Sequence, residues 1–147
     1  MLMKLKREEI INALVEIMRT EEHVVAAYLF GSVATGRTTP MSDLDVAVLL
    51  DDSSPELCLA LMKSLTVRIS ETIGLMRVDV ICLNLADVAV RNSVVRHGIL
   101  FLDRDPVART QFERLTWDEY DEMQRLWGEY DRYMAQRFLE RQEHGQS

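Results

Sequence analysis

The apolar residues of this 147-residue chain change period several times, and each change marks an element. Residues 4–20 put Leu5, Ile10, Ile11, Leu14, Val15 and Met18 on a helical repeat. Residues 24–30 (VVAAYLF) form a short continuous apolar run, which predicts a buried strand. A second run, VAVLL at 46–50, follows Asp43-Leu44-Asp45, so the next strand is expected over 43–50. Between them, residues 31–42 hold Gly31, Gly36, Arg37 and Pro40 and read as an irregular loop. Asp51-Asp52-Ser53-Ser54-Pro55 announces a helix, with Ser53 or Ser54 as its cap and Pro55 in the first turn. That helix should reach about residue 73 and stop at Gly74. A third strand is expected over 76–83. Asn84 then caps a helix over 85–97, closed by Arg96-His97 and Gly98. Residues 98–103 (GILFLD) make a short fourth strand.

The segment from 106 to about 143 is charged and helical. Trp117, Tyr120, Met123, Trp127, Tyr130, Met134 and Phe138 recur in it at three- and four-residue spacing. Such a stripe packs on its own domain or serves as a partner interface, where Trp and Tyr are enriched. The order of elements predicts one α/β (α+β) domain, a small mixed sheet with helices behind it. Residues 1–105 would be the domain proper and 106–147 a helical extension on that domain or on a partner.

Composition changes this picture little. The chain is 48% hydrophobic and 28% charged, as soluble globular chains are. Its net charge of −7 argues against a stand-alone nucleic-acid binder, which needs a basic surface. It leaves room for a nucleotide delivered with its Mg²⁺ and for a basic protein partner. Oligomers of like or unlike chains are equally compatible. No apolar run is long enough for a membrane span, and the basic start meets Glu8-Glu9 instead of the core of a signal peptide. Cys58 and Cys82 sit in apolar surroundings and read as free buried thiols, which suits a reducing cytoplasm.

The candidate chemistry lies at the strand ends. Gly31-Ser32 follows the first strand, and Asp43 and Asp45 begin the second. Alternation along a strand sends both carboxylates to one face and Leu44 to the other. Paired carboxylates suit Mg²⁺, which shares its shell with phosphate. Gly31 allows close backbone approach, and Ser32 at the start of a short helix would offer an anion site. Asp79 interrupts the apolar run of the third strand, and a charge there needs a pair or a metal. Beside Asp43 and Asp45, it would complete a set for two metal ions. Each feature alone has an ordinary explanation: a solvated loop for Asp-x-Asp, a turn for Gly-Ser, an ion pair with Arg77 for Asp79. Their joint occurrence at strand ends points to phosphoryl or nucleotidyl transfer.

Gly-Ser, ten residues, Asp-x-Asp and a later strand Asp resemble the nucleotidyltransferase superfamily with the DNA polymerase β-like palm. The pattern G-S-x-A-x-G then S-D-L-D resembles its minimal, MNT-domain branch, as does residues 91–105 (RNSVVRHGILFLDRD). The similarity covers about residues 8–105. It is strongest to MntA-type antitoxins of HEPN/MNT toxin–antitoxin pairs. The resemblance implies a palm with helices packed on one side plus C-terminal helices. It further implies transfer of AMP from ATP to a tyrosine of a HEPN ribonuclease toxin, which neutralises it. By motif position, Gly31 and Ser32 would hold the triphosphate. Asp43, Asp45 and Asp79 would bind two Mg²⁺ ions, and Asp79 would help activate the tyrosine hydroxyl. Arg37 would touch phosphate or remain a solvated loop residue.

Four other functions compete. A non-catalytic antitoxin would occlude its toxin, but all three acids are present. A small-molecule nucleotidyltransferase usually carries a second domain, for which there is little room. Transfer to RNA ends sits poorly with the negative charge. Arg91 and His97 mimic a HEPN ribonuclease motif, yet such a chain should be all-helical and this one has strands.

Overall fold

A computed structural model describes residues 6–35, 43–74 and 77–145, without the side chains of Ser32 and Thr35. Its elements are α1 (Arg7–Met18), β1 (Val24–Phe30), α2 (Gly31–Thr35), β2 (Leu44–Leu50), α3 (Pro55–Ile73), β3 (Val78–Cys82), α4 (Val88–His97), β4 (Ile99–Asp103) and α5 (Pro106–Gly145). The strands form one mixed sheet in the order β3-β2-β1-β4. β1 is antiparallel to both β2 and β4, while β2 and β3 are parallel. Parallel neighbours need a crossover, and α3 supplies it.

Local chemistry explains the boundaries. Ser54 accepts the Leu57 N–H at 3.4 Å, and Pro55 opens α3 where its missing N–H costs nothing. Gly74 closes α3 in the left-handed region at φ 76°, its N–H donating to Ser70 O at 2.8 Å. Asn84 departs from expectation. The cap of α4 is Asp87, which accepts the Val90 N–H at 3.0 Å. Asn84 instead accepts Leu50 N–H at 2.8 Å and donates to Leu50 O at 2.9 Å. It therefore satisfies the backbone at the end of β2, a long-range task that no local pattern announces.

The two faces of the sheet are covered differently. Leu44, Val46, Val48 and Leu50 of β2 pack with Leu14 of α1 and with Leu65 and Ile69 of α3. This is the helix layer expected on one side, and it holds Cys58 and Cys82 as buried free thiols. On the other face Ala26, Tyr28, Ala47 and Leu49 meet Leu83, Val94 of α4 and Phe112 of α5. A register shift between Val24 and Ala26 resets the alternation of β1, so Val24 shares the first face with Ala27 and Leu29.

α5 is fastened to the second face by its first four turns. Tyr28 donates to Glu113 at 2.8 Å, and Arg109 bridges Asp103 at 2.9 Å and Glu113 at 3.0 Å. Burial and the Glu113 carboxylate raise the Tyr28 phenol above its ordinary range, so it stays a neutral donor. Arg91 pairs with Glu119 at 2.6 Å, and Arg96 stacks over Trp117 and Tyr120 at 5.6 and 5.7 Å. Among the described residues, no helix is long and apolar enough to cross a membrane.

Candidate active site

Row by row, the second face of the sheet changes from apolar to acidic. Along β2 the side chains on that face are Leu49, Ala47 and Asp45. Asp79 of β3 is the register partner of Asp45, as Val80 is of Val46. Phe30, the last residue of β1, lies opposite Asp45 on the other side. The parallel pairing of β2 with β3 thus brings together acids 34 positions apart in the sequence. Asp43, just ahead of β2, lies near enough to add to the upward push on the Asp45 carboxylate.

Gly31 follows Phe30 directly and has φ +74°. A Cβ built on it would lie 2.2 Å from Asp45 Oδ2 and 3.1 Å from its Cγ. The backbone at the start of α2 is therefore laid against the Asp45 carboxylate, and only glycine permits both the contact and the dihedral. The sequence had suggested that Gly31 allows close approach to a ligand. The structure shows the approach to be made by Asp45. Val33 and Ala34 anchor α2 in the core, and Arg7 donates to Ala34 O at 2.9 Å. Arg7 thereby ties α1 to α2, a contact that no local pattern announces across 27 positions.

The electrostatics suit a cation. Asp45 is pushed up from 3.8 to about 6 by burial, then by Asp79, then by Asp43. Asp43 Oδ1 is buried with no hydrogen-bond partner among the described residues. A buried carboxylate oxygen without a donor, beside a second carboxylate that resists ionisation, is a hard-oxygen set short of positive charge. No three acid, thiol or imidazole side chains among the described residues already stand at metal-ligating distances. A divalent ion would offset the repulsion among these carboxylates. The donor set therefore fits Mg²⁺ or Mn²⁺ in kind. Ser32 lies in α2 by its backbone, its side chain outside the described part, and Arg37 lies outside the described residues.

One consequence is measurable without any substrate. An acid raised in the folded state above its unfolded value opposes folding above that raised value, and the penalty fades as pH falls through about 6 toward 3.8. Asp45→Asn should thus stabilise the metal-free protein at pH 8 by about 1 kcal/mol, after allowing for solvent screening. Melting in EDTA should show a rise of roughly 3–5 °C at pH 8, shrinking toward zero near pH 4. Equal melting temperatures at pH 8 would mean that the carboxylates do not repel as described.

Comparison with known proteins gives the family and the fold. The family profile "Polymerase beta, Nucleotidyltransferase" matches residues 12–107. A chain from the crystal structure of a toxin–antitoxin with AMP-PNP superposes with a TM-score of 0.68 at 23% identity, over 78% of this chain and 89% of that one. One from a mutant MntA–HpeT toxin–antitoxin gives 0.63 at 25% identity, over 82% and 90%. One from the complex of tri-AMPylated Shewanella oneidensis HEPN toxin with MNT antitoxin gives 0.64 at 21%, over 80% and 89%. No curated protein matches the sequence.

Proposed function

The chain belongs to the polymerase beta nucleotidyltransferase family and is a nucleotidyltransferase; from that premise we propose that it transfers AMP from ATP to a tyrosine of a HEPN-type toxin and so acts as an antitoxin. The observation that carries the proposal is that Asp79 is the register partner of Asp45, with Gly31 laid against the Asp45 carboxylate and Asp43 near enough to raise it. The similar fold of an MNT antitoxin seen with an AMPylated HEPN toxin supports the choice of group and acceptor.

In this reading Asp43, Asp45 and Asp79 would hold two Mg²⁺ ions, and Gly31, Ser32 and Arg37 would hold the triphosphate. The ions would supply Lewis-acid charge to the attacking and leaving oxygens. The chain's own residues do the rest. Gly31 keeps the first turn of α2 against Asp45, so a triphosphate held at that turn would lie beside the carboxylates. Asp79 is the exposed member and faces an incoming acceptor. The tyrosine oxygen would form a bond to the α-phosphorus as the bond to pyrophosphate breaks, and the phenolic proton would pass to the Asp79 carboxylate. Asp45, ionised above about pH 6, is ready for a cation at neutral pH and competes for a proton below it.

Mg-ATP should raise the melting temperature of the purified chain by several degrees, since only the folded state holds the assembled site. Asp43→Asn should remove most of that rise. An equal rise in the variant would place nucleotide binding elsewhere, and no rise in the wild type would reduce the site to a relic.

A further inference from the structure

The two halves of α5 have different surroundings. Phe112, Thr116, Tyr120 and Met123 lie on the helical face that packs on β1 and α4, and Thr116 is fully buried. The same three- and four-residue spacing carries that face onward through Trp127, Tyr130, Met134 and Phe138, flanked by Leu126 and Tyr133. There it is open to water: Trp127 is 58% exposed and Phe138 60%. Trp127 and Tyr130 meet edge to face at 6.1 Å, a contact within the helix itself. Long helices in water draw most of their stability from packing an apolar face, and this half exposes its own.

The size of the patch and its charge pattern indicate what covers it. Four aromatic side chains of roughly 200 Å² each, half open, with Leu126 and Met134 beside them, expose on the order of 600 Å². A standard interface takes about 800 Å² from each partner. Residues 118–131 carry six acids against Arg125 alone, whereas residues 132–141 carry Arg132, Arg137 and Arg141 against Glu140. The helix thus has an acidic stretch and then a basic one on either side of Tyr130. An antiparallel second copy lays each stretch on its opposite, twice, by two-fold symmetry. Centred between Glu129 and Tyr130, that pairing sets Leu126 against Tyr133 and Glu122 against Arg137.

We propose that the chain self-associates as an antiparallel two-fold dimer through residues 122–138 of α5. The contact is independent of the acid site, so Asp43→Asn leaves it intact.

The test is the molar mass of the full chain by sedimentation across a concentration series up to about 100 µM. The wild type should run as a dimer. Tyr130→Glu, which sets a carboxylate against the partner's Glu129 on each side of the axis, should run as a monomer with its helical circular dichroism largely kept. Glu122→Arg should weaken the dimer about tenfold, and adding Arg137→Glu in the same chain should restore it. A wild-type chain that stays monomeric throughout overturns the proposal. So does a dimer that Tyr130→Glu leaves intact. A monomeric chain whose Tyr130→Glu variant loses affinity for a HEPN-type protein gives the face to that protein and overturns it as well.

Discussion

Asp43→Asn and Asp45→Asn should each lower nucleotidyl transfer by about a thousandfold or more while leaving the fold in place. A loss of that size is about 4 kcal/mol of transition-state stabilisation, as expected when a ligand to the charge-neutralising ions is removed. The reasoning rests on Asp43 Oδ1, buried with no hydrogen-bond partner among the described residues, and on the upward push that burial, Asp79 and Asp43 exert on Asp45. Neither carboxylate is engaged in holding the sheet, whose cores are apolar on both faces. The Asp45 variant should even melt higher without metal, so loss of transfer and gain of stability would appear in one protein. That combination separates a site residue from a structural one. Initial rates with α-labelled ATP, beside melting curves, check both halves. A variant retaining more than about a tenth of wild-type transfer would remove that acid from the site.

Gly31→Ala should be nearly as damaging, for a different reason. Its Cβ would sit 2.2 Å from Asp45 Oδ2, inside any allowed contact, on a backbone at φ +74°. Asp45 would have to turn away or α2 would have to shift, and either movement separates the carboxylates from the turn proposed to hold phosphate. A loss of about a hundredfold in transfer is expected, since ångström-scale displacement of a reacting group costs that much. Gly74 supplies the control. It has nearly the same φ, +76°, but nothing within 4 Å of a built Cβ. Gly74→Ala should therefore cost the same backbone strain, about 1–2 kcal/mol, and leave the transfer rate unchanged. Equal effects of the two substitutions on rate would mean that the clash with Asp45 has no part in function.

The contrast between these glycines also shows what the sequence could convey. Strong local signals were read correctly: β1 spans 24–30 as its apolar run indicates, and α3 spans 55–73 between Ser54 and Gly74. The pairing of Asp79 with Asp45 was anticipated as a condition, that the third strand lie beside the second, and the parallel register meets it. Long-range contacts were not legible. Asn84 looks like a cap because its neighbours do, yet it holds the end of β2. Arg7 reaches α2, and Gly31 touches Asp45, through the fold alone. The five-residue α2 itself is too short for a periodic signal. The aromatic stripe was legible as a stripe; only the structure divides it, with Trp117 and Tyr120 under Arg96 and Trp127 onward in solvent.

The central claim is that the acids at the end of this sheet transfer AMP to a protein. Its most direct test is the intact mass of a HEPN-type protein co-expressed with this chain and incubated with Mg-ATP. The account predicts a gain in whole AMP units, lost on tyrosine replacement in the acceptor and absent when this chain carries Asp43→Asn. An unchanged acceptor mass in a complex that nevertheless forms would contradict it, and would leave neutralisation to binding alone.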